Sequence, residues 1–336
     1  MRYATIVAAA AAVALAGAAP VRAADKIVIA QTSISLGLSI VEVAVDEGFF
    51  AKHGIDPDVE IVSHGDPDTL AALHSGGAAF GAMTLVPVVQ ALGRGEQLRI
   101  VAPFVRNFVI QFVINPDAAK KIGLTAKMPL KERFARARGL TIGTLDVGGG
   151  LDIMFRVLAK QYGFNPQADY TETTINSYPT LLAAAKRKEI DIALTAIPYG
   201  RLGVDQYGLK MFADFWGGAI PEYVGAVHQG LVTEADYASK HPDIVKRAHA
   251  ALDDALVLLH KQPDKVIADL HKRYPKLPEP LIREFIVGDA NSFPARAVVD
   301  RRGFAIIQKF VADNTVPAAK SLKYDEVVLP VAQQKK

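Results

Sequence analysis

The sequence predicts an α/β protein made of two similar units. Three observations carry that reading: short apolar runs alternate with amphipathic helical stretches, the alternation restarts after Asn107, and a weak repeat links the halves. In chain order, Lys26 to Ala30 (KIVIA) has the near-continuous apolar, β-branched character of a buried strand. Ser39 to Glu47 then spaces its apolar residues as a helix does, ending before Gly48. The pattern continues with Val59 to Val62 as strand, Asp68 to Ser75 as helix, Phe80 to Thr84 as strand, Pro87 to Leu92 as helix and Leu98 to Pro103 as strand. Such an order implies a mostly parallel sheet. In the second unit, Leu140 to Thr144, Asp169 to Thr174 and Ile190 to Thr195 read as strands, with Leu151 to Tyr162 and Pro179 to Arg187 as helices. Beyond Pro242 the chain turns helical, through Ile244 to His260, Pro263 to Arg273, Pro278 to Val287 and Val298 to Asp313, which read as packing for the first unit.

The repeat consists of Asp68-Thr69-Leu70 against Pro179-Thr180-Leu181, and Thr84-Leu85-Val86-Pro87 against Thr195-Ala196-Ile197-Pro198. The offset is 111 residues in both cases. It implies that equivalent loops of two lobes face each other.

The N-terminus reads as a leader. Met1-Arg2, an apolar run from Ile6 to Ala19, and Pro20-Val21-Arg22-Ala23 with small residues at the cleavage positions make residues 1–23 a secretory signal peptide. That run is shorter than the roughly 18 to 20 residues that span a bilayer. The chain has no cysteine, so neither a disulfide nor a lipid-anchoring thioether after the cleavage site is available, and a freely diffusing periplasmic protein is expected. Losing Arg2 and Arg22 leaves 36 Lys+Arg against 35 Asp+Glu, which gives no basic field for nucleic acid or lipid. The remaining 313 residues exceed a comfortable single core, so two domains are expected.

Ala44 to Val62 (AVDEGFFAKHGIDPDVEIV) resembles a signature of the nitrate, sulfonate, taurine and thiamine-pyrimidine-precursor binding proteins of ABC importers. The resemblance continues through Thr69 to Gly76, Gly95 to Ala102, Arg138 to Gly143, Glu189 to Ala193 and Pro198. Two departures are Ala79, where the family often has an acid, and a longer, more basic segment from Lys131 to Ala137. The resemblance implies the two-lobed type II periplasmic binding protein fold with two crossover hinge segments, near Arg106 to Ile110 and Gly225 to Gly230. Residues 24–105 with 229–336 would form the first lobe and 106–228 the second. It further implies a monomer that captures a small-molecule ligand in the interlobe cleft and delivers it to a permease in the inner membrane.

In open α/β sheets ligands bind beyond the carboxyl ends of the strands. Position therefore nominates Gln31, Thr32, Ser33, Ser35, His64, Asp66 and Thr84 from the first lobe, and Asp146, Gly148, Gly149, Gly150, Asn176, Ser177, Tyr178 and Tyr199 from the second. Three consecutive glycines before a helix form either an anion seat of backbone N–H groups or a plain turn. Ser33 and Ser35 are equally readable as helix caps. Tyr178, Tyr199, Phe104, Phe215 and Trp216 are nominated for an apolar wall, although aromatics more often sit in cores. Arg106 either clamps an acid or braces a crossing. The glycine turn and hydroxyls favour a small organic anion, sulfonate- or carboxylate-like. Asp66, Asp146 and the aromatics would instead suit a cationic heterocycle such as a pyrimidine.

His64, Asp66, Asp68 and His74 match no recognised metal-ligand spacing, and no metal or cofactor is expected. Gly-x-Ser-x-Gly, His-Glu-x-x-His, Walker and cysteine-nucleophile motifs are missing, so an enzyme ranks below a binding protein. The pyrimidine synthases of this fold carry a cysteine-rich iron motif that this chain cannot supply. A periplasmic ligand sensor remains the other alternative.

Overall fold

The computed structural model describes residues 23–216, 220–288 and 292–334. The expected leader therefore lies, apart from Ala23, outside the described residues.

Ten strands account for the two sheets: β1 (Asp25–Gln31), β2 (Ile55–Ile61), β3 (Phe80–Thr84), β4 (Leu98–Arg106), β5 (Ile110–Ile114), β6 (Thr141–Thr144), β7 (Thr171–Thr174), β8 (Ile192–Ala196), β9 (Lys210–Asp214) and β10 (Val227–Glu234). One sheet has the order β2-β1-β3-β10-β4 and the other β7-β6-β8-β5-β9. The two orders are equivalent strand for strand, and the repeat seen in the sequence falls on equivalent elements: Thr69 and Thr180 in the helices Gly65–His74 and Tyr178–Lys186, Thr84 and Thr195 in β3 and β8.

Each sheet contains one reversed strand. β10 runs antiparallel to β3 and β4, and β5 antiparallel to β8 and β9. These are the strands that follow the two crossings, since a chain arriving from the other sheet enters by running back along it. The sequence reading took Gly225 to Gly230 as a crossing, but Val227–Gly230 are already paired strand, and the passage from β9 lies before them. The two passages are tied together: Asn107, at φ 65°, accepts the Gly225 N–H at 2.6 Å through its Oδ1 and donates its own N–H to Ala226 O at 2.9 Å.

Burial follows from the run of residue types. β3, β5 and β8 are buried along their whole length, as expected for central strands with helices on both faces. The long helix Pro242–Lys261 places Val245, Ala248, Leu252, Leu256 and Leu259 against the first sheet's layer, and the end of the chain returns to the same sheet, where Val328 bridges to Ile100. Among the described residues no helix is long and apolar enough to cross a membrane.

Candidate functional site: a cleft between the two sheets

The carboxyl ends of five strands converge on a cavity of about 200 Å³. Thr32, Ser33 and Ile34 follow β1, Ile61 ends β2 and is followed by Val62, Ser63 and Gly65, Leu145 follows β6, Asn176 to Pro179 follow β7, and Tyr199 follows β8. Both sheets thus contribute equivalent loops, the arrangement in which open α/β sheets hold ligands.

One wall is aromatic. Tyr178 and Tyr199 stack with ring centroids 4.4 Å apart and planes 20° from parallel. Ser177 fixes the start of the Tyr178–Lys186 helix by accepting the Thr180 N–H. Burial raises the Tyr178 phenol well above its ordinary range, opposed by a hydrogen bond with the Ser33 hydroxyl across the cleft. Burial also pushes Tyr199 up to about 12. Both rings therefore present neutral hydroxyls at physiological pH.

Beside this wall the lobes are joined by carboxyl groups. Asp66 is buried and accepts four hydrogen bonds: Oδ1 from the Thr32 hydroxyl (2.8 Å) and Thr84 N–H (3.1 Å), Oδ2 from the Thr84 hydroxyl (2.5 Å) and, from the other lobe, Gly150 N–H (3.0 Å). In return the Asp66 N–H donates to Asp146 Oδ2 at 2.9 Å. The fit is close on both sides. A Cβ on Gly65 would fall 1.9 Å from Asp146 Oδ2, and one on Gly150 would fall 2.6 Å from Thr84 Oγ1. Burial, then the neighbouring Asp66 charge, push Asp146 up to about 7. Burial pushes Asp66 upward as well, against the pull of its four donors.

Of the residues nominated from the sequence, the structure brings Thr32, Ser33, Asn176, Ser177, Tyr178 and Tyr199 to the cavity. Asp66, Thr84, Asp146 and Gly150 form the carboxyl contact, and Gly149 lies directly against the Asp146 carboxyl. The others are placed elsewhere. Gln31 turns inward to donate to Glu42 Oε1 at 2.7 Å, and Ser35 is buried ahead of the short helix Leu36–Leu38. His64 is exposed and bonded to Asp68 at 2.9 Å. Arg106 ends β4, its N–H bonded to Ser292 O. Trp216 donates to Ser292 Oγ at 2.9 Å and leans on Phe285, so it spans the region of the crossing and not the cavity. Phe104 and Phe215 are core.

The expected anion seat is already engaged by the protein. Gly148 N–H is bonded to Asp152 Oδ2 at 2.7 Å and Gly150 N–H to Asp66. Sequence reasoning passed over Ile34, Ile61, Val62, Ser63, Gly65, Leu145 and Pro179, which complete the lining. Ile34 and Ile61 are each 46% exposed at the mouth. An isoleucine set between two serines in a loop was the available signal.

Among the described residues no cluster of His, Asp and Glu is arranged to hold a metal. Fold and site together define a two-lobed α/β protein with a cavity between its sheets. Residues 38–266 match the model of the NMT1/THI5-like family, and the chain belongs to that family. A comparison with curated proteins finds no match. Solved structures with the same fold include a protein of Bordetella bronchiseptica RB50, with TM-score 0.73 and 16% identity over 90% of this chain and 94% of that one. The periplasmic aliphatic sulphonate binding protein SsuA of Escherichia coli matches with TM-score 0.63 and 17% identity, over 90% and 98%. The periplasmic nitrate-binding protein NrtA of Synechocystis PCC 6803 matches with TM-score 0.67 and 17% identity, over 90% and 84%.

Proposed function

We propose that the protein is the periplasmic solute-binding component of an ABC importer, taking up a small organic molecule in the cleft and passing it to an inner-membrane permease. The observation that carries this reading is the cavity itself, lined by equivalent strand-end loops of both sheets. A ligand held there touches both lobes, so it stabilises their closed arrangement over an open one by the contacts it makes to the second lobe. The membership in the NMT1/THI5-like family supports the same reading.

The lining chemistry favours a ring-bearing ligand without net negative charge over the sulfonate- or carboxylate-like anion that the glycine turn suggested. Among the described residues no Lys, Arg or His lines the cavity, Asp66 and Asp146 lie beside it, and the helix-start N–H groups of Gly148 and Gly150 already hold carboxylates. An anion would lose its hydration there against like charge. Stacked tyrosines and the side chains of Ile34, Ile61 and Leu145 suit a flat apolar body, while Ser33, Ser63, Asn176 and Ser177 offer polar partners to its edge.

Melting temperatures measured against a panel of aminopyrimidines, neutral aromatics, carboxylates, alkane sulfonates and nitrate test this, since a ligand of the native state alone raises the transition. Shifts confined to uncharged or cationic rings are expected, with a change in Trp216 emission reporting lobe movement. Shifts confined to sulfonates or nitrate would contradict the ligand class, and a panel without effect would count against the binding role.

A further inference from the structure

We propose that Asp66 and Asp146 form a proton-dependent latch between the lobes, so that closure of the cleft takes up a proton. Two direct polar contacts between the lobes run through these carboxyls: Gly150 N–H reaches back to Asp66 Oδ2 at 3.0 Å, and the Asp66 N–H reaches forward to Asp146 Oδ2 at 2.9 Å. Each contact requires a glycine on the opposing surface, because a Cβ at Gly65 or Gly150 would occupy the position of Asp146 Oδ2 or Thr84 Oγ1. The loops are shaped to this contact.

The two carboxyls are not equivalent. Asp66 accepts two hydroxyls and two backbone N–H groups, which is the environment of an ionised carboxylate. Asp146 receives the Asp66 N–H and no side-chain donor among the described residues. Burial pushes both carboxyls upward, so the closed pair holds a proton, and the four donors on Asp66 against the single Asp66 N–H on Asp146 place it on Asp146. The groups that face Asp146 offer no countercharge: Asp66 from the loop after β2, Asp152 at the start of the helix Gly150–Gln161, and the Tyr178 phenol. Asp152 is itself held by Arg156 at 2.5 Å and by the Gly148 N–H. His64, two residues from Asp66, is turned outward to Asp68.

Opening the cleft returns Asp146 to water and to an ordinary carboxyl affinity near 3.8, while in the closed form it stays protonated up to about 7. Between these limits each rise of one pH unit favours the open form about tenfold, and above the upper limit the bias is constant. The device acts on the lobes whatever ligand enters, so it stands or falls separately from the ligand class.

Small-angle X-ray scattering of the full protein, refolded from denaturant to remove small molecules, reads it without a ligand. The radius of gyration should be smallest near pH 4, increase as the pH rises to about 7, and stay level above that. Asp146→Asn, which keeps an acceptor for the Asp66 N–H and carries no charge, should stay compact throughout. A radius independent of pH in the unsubstituted protein, or the same expansion in Asp146→Asn, would overturn the latch. Carbon-13 titration of the aspartate carboxyls in the unsubstituted protein gives a reading that does not depend on a variant folding: one carboxyl should titrate near 7, and none above about 5 would refute the assignment.

Discussion

The two ends of the contact between the lobes handle protons in opposite senses. At the carboxyl contact, Asp146 binds its proton more tightly in the assembled protein than in water, with a value pushed up to about 7. At the crossing, His228 is fully buried, its Nδ1 3.5 Å from the Val109 N–H, its Nε2 without a partner among the described residues, and its ring 5.1 Å from Phe108. Burial pushes this imidazole down to about 3. The unfolded chain therefore takes up a proton at His228 that the folded chain refuses, and stability falls as the pH drops from 6.5 towards 3. For Asp146 the folded chain holds the proton that the unfolded chain releases, and stability falls as the pH rises from 3.8 towards 7. The lesson is one of placement. The end where the chain crosses is an aromatic cluster of Phe108, Tyr223 and Phe310, while the carboxyl end is polar and glycine-shaped. A melting curve alone sums the two effects and hides both.

Substitutions separate them. The largest expected effect is at the crossing: Phe108→Ala removes a buried ring from that cluster and should cost about 3–5 kcal/mol of unfolding free energy. A denaturant titration checks the loss, and the pH dependence of the radius of gyration should be unchanged. Next is Gly65→Ala. Gly65 sits at φ 62°, where a side chain costs about 1–2 kcal/mol, and its Cβ would displace the Asp146 carboxyl. Here the protein should lose about 2 kcal/mol and, in scattering at pH 5, show the expanded form. A compact Gly65→Ala protein would show that the carboxyl contact does not hold the lobes. The smallest is His228→Leu, which fills the same space without a titrating group. Stability measured at pH 5 should improve by about 2 kcal/mol relative to pH 7, since the His228 contribution is about 1.4 kcal/mol per unit below 6.5. Persistence of the acid-side slope in this variant would place its source at another group.

The sequence carried most of the fold because the deciding features are local. The runs at Lys26 to Ala30, Phe80 to Thr84 and Leu98 to Pro103 become β1, β3 and β4, and the helices Ile244 to His260 and Pro263 to Arg273 lie within two residues of their observed ends. What escaped were the strands whose identity depends on a distant partner. β5, β9 and β10 are defined by pairing across the restarted pattern, and the crossing expected near Gly225 to Gly230 overlaps the first half of β10. In the site, strand-end position found the tyrosines and hydroxyls. It left the glycine turn open between an anion seat and a plain turn, because the carboxylate that meets Gly150 comes from Asp66, 84 residues away. It also carried Gln31, Ser35 and Trp216 into the list, although Gln31 turns to Glu42 and Trp216 to Ser292. Direction of a side chain out of a loop is fixed by neighbours that a linear reading does not contain.

The claim on which the functional account rests is that a ligand occupies the cavity between Tyr199 and the β1 loop. Isothermal titration of the strongest compound from the melting panel into the unsubstituted protein and into Ile34→Trp tests it most directly. Ile34 is 46% exposed at the cavity mouth, so the larger ring fills the space without disturbing the core. The account predicts an unchanged melting temperature for the free variant and at least a tenfold loss of affinity. Undiminished binding by Ile34→Trp would place the ligand elsewhere and contradict the account.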